Sequence, residues 1–217
     1  MYKDRNQGFT LVEMAVVLII VGLLIGGLLV PLTAQLDIRN YNETRQKIDT
    51  IKEAIMGFAL VNGRLPCPAS PTVASSEVGA GTESCALDVG VVPWADLGTP
   101  ELDAWGGRFT YAVTSPLKVD ILLTSNGALT VNNLSGGSVG LQLPVVVISH
   151  GKNGFGAYQV NGTQASTTGA TAAELENLNG ISPFVFGETM QNGYDDFVEW
   201  LSLNVLFNRM VLAGRLP

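Results

Sequence analysis

Arg5-Asn6-Gln7-Gly8-Phe9-Thr10-Leu11-Val12-Glu13 decides how the rest of the chain is read, because it runs straight into residues 14–36, 23 positions without a charge. A helix of roughly 20 apolar residues spans the hydrocarbon core of a bilayer. Glu13 stands five residues after Gly8, already inside the apolar segment. An ionisable group at membrane depth is expensive and marks a functional partner. An ordinary single-pass anchor and a secretory signal peptide are the plain alternatives. A signal peptide has an apolar core of about 7–15 residues with a small-residue cleavage site after it. This core is longer, and an acid heads it.

The string Gly8-Phe9-Thr10-Leu11-Val12-Glu13 with its apolar run resembles the leader and N-terminal segment of the type IV pilin superfamily, which includes the pseudopilins of type II secretion. The resemblance implies that a membrane peptidase cuts after Gly8, that Phe9 becomes the N-methylated terminus, and that Glu13 is the assembly carboxylate. The physics of Glu13 stands without the family. Once the chain is cut, the Phe9 amine lies one helical turn from Glu13. Between staggered subunits Glu13 neutralises the amine of a neighbour, and burying either charge alone is costly.

At 217 residues the chain has room for one domain beyond the anchor. Its formal charge is -7, and about -8 once Lys3, Asp4 and Arg5 are removed with the leader. An acidic mature chain argues against nucleic acid as a partner, which calls for a basic patch. Lys3 and Arg5 ahead of the span place the leader in the cytoplasm and the rest across the inner membrane. That oxidising side permits Cys67 and Cys85, the only cysteines, to pair. Closing their loop is worth on the order of 3 kcal/mol; two free buried thiols are the alternative. With His150 as the single histidine, the set is one ligand short of a structural zinc site.

From residue 9 to about 61 the chain reads as one long helix. Ile48, Ile51, Ile55 and Phe58 form an apolar stripe at spacings of three and four. Asn40, Glu43, Lys47 and Lys52 occupy the other face, and Asn62-Gly63 stops the helix. Pro31, after Gly22, Gly26 and Gly27, is expected to kink it. Residues 64–102, with five prolines, read as a long loop tied by the disulfide. Beyond 104 come short β-type runs at 108–114, 118–124, 139–149 and 155–160. Six Asn-Gly pairs, at Asn62, Asn126, Asn153, Asn161, Asn179 and Asn192, favour tight turns between such runs. Residues 162–171 read as an exposed Gly/Thr-rich loop, 172–178 as a helical turn, and 202–213 as a closing helix with Ser202 as N-cap.

Asp103-Ala104-Trp105-Gly106-Gly107, then Tyr111, resembles the Asp-x-Trp-Gly-x-Pro-x-x-Tyr segment of type II secretion major pseudopilins, departing at Arg108. Ser149-His150-Gly151-Lys152-Asn153-Gly154 resembles their Ser-x-Gly-x-Asp-Gly loop, with Asn153 at the acidic position. Asp195-Asp196 with Trp200 is similar to their terminal segment. In that family the last two segments build a calcium site, so the resemblance implies a calcium set of Asn153, Asp195 and Asp196. About 40 residues separate the two segments here, and a turn with solvated acids is the alternative. Calcium takes oxygen ligands, and no other cofactor is required.

Enzyme readings find no support: His150 is the lone histidine, and His-Glu-x-x-His does not occur. The expected fold is pilin-like α+β, a long N-terminal helix on an antiparallel sheet with a short C-terminal helix. Its parts are a leader (1–8), the membrane and assembly half of the helix (9–36), an amphipathic half (37–62), a disulfide-tied loop (63–102) and a β-rich domain (103–217). The expected role is a filament subunit, in the first instance of a type II secretion pseudopilus. A type IV pilus subunit, or an anchored adhesin using residues 162–171, is the alternative. The partners implied are like subunits, the prepilin peptidase and methylase, and an inner-membrane assembly platform.

Overall fold

The computed structural model describes residues 8–188 and 193–217, apart from the side chains of residues 25–33. The leader expected over 1–8 thus lies, except for Gly8, outside the described residues, as does Asn192. The chain divides into two compact units, Met1–Asn42 and Glu43–Pro217. Helix α1, Leu11–Asn62, is helical throughout, Pro31 included, so the proline does not interrupt it. Among the described residues no helix is long and apolar enough to cross a membrane. The described side chains from Leu11 to Leu24 are exposed.

In the second unit the α1 stripe does what its spacing predicts. Ile48, Ile51, Ile55 and Ala59 are buried, while Phe58 is half-buried under the Arg64 guanidinium, 4.9 Å from its ring centre. The polar face is tied as well: Lys47 pairs with Glu43 at 2.8 Å, and Lys52 reaches Glu199 at 2.9 Å.

The main sheet runs in the order β1 (Val89–Val91), β2 (Thr110–Val113), β5 (Val145–Ser149), β7 (Phe197–Leu201), all antiparallel. Strands alternate their side chains between faces. Tyr111, Val147 and Glu199 are cross-strand neighbours on one face, the one that meets Lys52 of α1. Ala112, Val146 and Trp200 lie on the other. That other face packs on a second sheet, β4 (Ser138–Leu143), β3 (Leu129–Asn133), β6 (Phe184–Phe186), through Ala112, Val131, Leu143, Val146, Ile148, Phe184 and Val198. Strand β5 is covered on both faces, and for that reason all five of its residues are buried.

The expected α+β architecture is therefore present, with one addition: among the described residues the β-rich part forms two sheets, and β3 pairs with β6 in parallel. The run 139–149 splits at Pro144, which has no N–H to continue a ladder. Residues 118–124 form no strand; a 3-10 turn, Ser115–Lys118, leads into a segment held by Ile121 N–H on Gly63 O at 3.0 Å. The run 155–160 makes only a bridge, Tyr158 to Gln164, around the Asn161-Gly162 turn.

The long loop is ordered by four ties. Cys67 and Cys85 form a disulfide. Arg64 grips Glu83 with two bonds of 2.8 and 3.0 Å. Lys118 donates to Leu87 O at 2.6 Å and pairs with Asp88. The fourth tie, unforeseen, is Arg108. Fully buried, it donates to Glu101, to Pro71 O and Val73 O, and to Ser75 Oγ, each at 2.9 Å, and its guanidinium lies 4.7 Å from the Trp94 ring centre. Within the loop sit β1 and a single helical turn, α2 (Trp94–Leu97).

Candidate functional site

The helix start carries the first group of predicted residues. Gly8, Phe9 and Thr10 precede α1 and are not helical, and Phe9 is 85% exposed. Thr10 is the N-cap: its Oγ1 accepts from Glu13 N–H at 3.2 Å, and Glu13 Oε2 accepts from Thr10 N–H at 2.9 Å. Thr10 Oγ1–H also donates to Glu13 Oε2 at 3.0 Å. Reciprocal bonding of this kind is a capping box and satisfies two of the donors that every helix start leaves open. The structure thus gives Glu13 a contact inside its own chain. Thr10-x-x-Glu13 is the sequence signal for it.

The second group gathers in the globular unit. The Asp103 carboxylate organises the Asp-x-Trp-Gly segment: its Oδ1 accepts from Trp105 N–H and Gly107 N–H, both at 2.9 Å. Its Oδ2 accepts from Ser149 Oγ–H at 2.7 Å. The turn docks on α1 through Lys47 Nζ to Asp103 O (3.3 Å) and Ala104 N–H to Thr44 Oγ1 (3.2 Å). Asn153 N–H in turn donates to Asp195 Oδ2 at 2.8 Å. The three segments singled out in the sequence therefore meet, 103–107 with 149 and 153 with 195.

Around Asp195 lies an acidic cluster. Carboxylate oxygens of Glu174, Asp195 and Asp196 lie within 4.8 Å of one another, and Glu174 and Asp196 are buried. Burial pushes the Asp195 carboxyl up to about 6; Asp196 and Glu174 add to the shift, and N–H bonds from Asn153 and Lys152 oppose it. Among the described residues Asp195 Oδ1 is buried without a hydrogen-bond partner. Asp196 Oδ2 accepts from Asn177 Nδ2 at 2.8 Å, while its Oδ1 lies 3.8 Å from His150 Nδ1. His150 Nε2 bonds Thr110 Oγ1 at 2.8 Å.

Asn153 meets this cluster with its amide nitrogen, which donates to Glu174 Oε1 at 2.7 Å, while its Oδ1 accepts from Phe155 N–H at 2.9 Å. The carboxylate beside Asp195 and Asp196 is Glu174, which the sequence reading did not name. Glu174 is the third helical residue of α3 (Ala172–Leu178) and closes a capping box with Thr171. Thr171-x-x-Glu174 is the same signal as at the start of α1. An oxygen-only donor set and an orphaned Asp195 oxygen suit a calcium-type ion.

No curated protein and no solved structure matches the chain. Residues 3–29 match the prokaryotic N-terminal methylation motif. That match spans the Gly8–Phe9 junction, the capping box and Glu13, and it supports a pilin-like filament subunit that a prepilin peptidase processes. Residues 3–29 thus carry the prepilin-type signature of type IV pilins and pseudopilins.

Proposed function

We propose that the chain is made as a prepilin in the bacterial inner membrane, cut after Gly8, N-methylated at Phe9, and drawn into a type II secretion pseudopilus. Residues 9–36 would anchor it in a single pass, with the globular unit in the periplasm until assembly. The methylation motif over 3–29 carries the reading. The geometry at Gly8 supports it: a Cβ there would meet nothing within 4 Å, and the backbone is not in the left-handed region. With nothing within 4 Å of it among the described residues, the Gly8 backbone is open to close approach by another chain. Glu13 serves assembly, its carboxylate pairing with the Phe9 amine of the next subunit. The Asp103 turn and its bond to Ser149 support a pseudopilus, because these are the segments that resemble major pseudopilins.

A type IV pilus subunit is the second reading; Asn153, whose nitrogen rather than an acid meets the cluster, departs from the loop of the pseudopilins. Calcium at Glu174, Asp195 and Asp196 is a separable part of the proposal, supported by Asp195 Oδ1, which has no partner among the described residues.

Mass spectrometry of the mature protein tests the reading. The N-terminus should be Phe9 carrying one added methyl group; a chain starting at Met1, or cut after the apolar run, overturns it. Glu13→Leu should be inserted normally yet yield few filaments, since an unpaired buried amine costs roughly 3–5 kcal/mol. Glu13→Asp should be intermediate. A deletion strain that loses protein export indicates a pseudopilus, and one that loses surface filaments a pilus.

A further inference from the structure

A peptidase needs its scissile peptide outside a helix. Inside one, the carbonyl is hydrogen-bonded to the following turn and one face of the peptide is shielded. The chain meets this requirement with little room to spare. Helix α1 begins at Leu11, two residues past the Gly8–Phe9 bond, and residues 8–10 are not helical. What fixes the start there is the box between Thr10 and Glu13, with bonds of 2.9, 3.0 and 3.2 Å. The first backbone bond of the helix is Met14 N–H to Thr10 O, as an N-cap at Thr10 demands.

We infer that Thr10 is a positioning residue for leader removal: its capping box with Glu13 stops α1 short of the junction and presents Gly8–Phe9 as an exposed, non-helical substrate. The inference rests on the prepilin reading above. A cap favours a helix start at its own position by satisfying an open N–H of the first turn. Without it nothing holds the start at Thr10, and growth by one turn upstream would take the Gly8–Phe9 peptide into the ladder. In the cleavage itself, water's oxygen bonds to the Gly8 carbonyl carbon, the C–N bond to Phe9 breaks, and a proton goes to the Phe9 nitrogen. Only a carbonyl free of the helix admits that attack. Glu13 accordingly acts twice. Before cleavage its side chain caps its own helix, a task that needs an acceptor and no charge. In assembly it neutralises an amine, and there the charge is needed.

This division gives the test. Full-length chains carrying Thr10→Val, Thr10→Ser or Glu13→Gln are expressed at equal level with the peptidase, and cleavage after Gly8 is followed by pulse-chase and mass spectrometry. Valine has the shape of threonine and cannot cap; serine can. Glutamine at the third helical position closes the box as glutamate does. Cleavage of Thr10→Val should slow about five-fold, the size of a lost N-cap, while Thr10→Ser and Glu13→Gln are cut at the parental rate. Glu13→Gln should then fail in filament yield. Carbonate extraction and formation of the Cys67–Cys85 disulfide check that each variant is inserted and its globular unit folded. Parental cleavage of Thr10→Val overturns the inference, as does a Thr10→Ser chain cut as slowly as Thr10→Val. Absence of cleavage after Gly8 in the unsubstituted chain instead overturns the prepilin reading.

Discussion

Ser149 Oγ–H donates a 2.7 Å hydrogen bond to Asp103 Oδ2, and both groups are buried. This bond joins the end of β5 to the turn that docks on α1, so Asp103 ties sheet and turn through its carboxylate and the helix through its carbonyl.

Asp103→Ala would leave Ser149 Oγ, Trp105 N–H and Gly107 N–H without their acceptor. Each unmet buried group costs about 1–3 kcal/mol, so a loss of about 3 kcal/mol is expected. Asp103→Asn retains one acceptor oxygen and should lose less than half of that. Urea unfolding of the full chain in detergent, followed by tryptophan fluorescence, measures both.

Arg108→Lys keeps the charge and discards the fork that spans Glu101, Pro71 O, Val73 O and Ser75 Oγ. A lysine offers three donors on a flexible stem. The expected loss is about 3 kcal/mol, since buried acceptors left unmet cost about 1–3 kcal/mol each. Limited proteolysis should then cut within 71–75 faster than in the parent.

Peptide mapping without reductant should recover Cys67 joined to Cys85. Cys67→Ser with Cys85→Ser should cost less than the roughly 3 kcal/mol of loop closure, because Arg64 and Glu83 close nearly the same loop. Burial pushes the Glu83 carboxyl up, but hydrogen bonds from Arg64 and Cys67 N–H, with the Arg64 charge, outweigh it and hold the group below its usual 4.5. Stability from Glu83 is present above pH 4.5 and is lost as pH falls through the lowered folded value. The double-serine chain should therefore unfold at a higher pH than the parent on acid titration.

The Asp195 carboxyl shows the opposite sign. Raised from 3.8 to about 6 in the folded chain, it carries no penalty below pH 3.8, loses stability as pH rises towards 6, and carries the full penalty above it. Asp195→Asn should stabilise the chelator-treated protein at pH 8 and leave it unchanged at pH 3.5. Added calcium should raise the parent's unfolding midpoint at pH 8 and leave that of Asp195→Asn in place. Equal calcium response of the two chains removes the metal part of the proposal.

Local chemistry made much of this legible. The spacing of Ile48, Ile51 and Ile55 gave the buried stripe of α1, and Ser202 holds the N-cap position of α4 (Leu203–Leu212), though its side chain makes no capping bond. Residues 172–178 are the helix read there. The strands were harder because β1, β3, β6 and β7 are three to five residues long, too short for a period to show. Their pairing is a tertiary matter; β3 meets β6 in parallel across some fifty residues of intervening chain, which no local pattern announces. Among site residues, Glu174 was within reach, since Thr171-x-x-Glu174 spells its cap. Arg108 was not, because a buried cation is defined by the carbonyls that surround it, and those come from residues 71 and 73.

The tied loop ends in a bare tip. Val78 is fully exposed, while the chain on either side is held at Ser75 by Arg108 and at Gly81 by the face of Trp94. Between those two clamps the backbone can be lengthened without disturbing what lies beneath. An epitope placed at residues 77–79 would ride outside the globular unit and report, by antibody on intact or permeabilised cells, on which side of the outer membrane the subunit ends its journey.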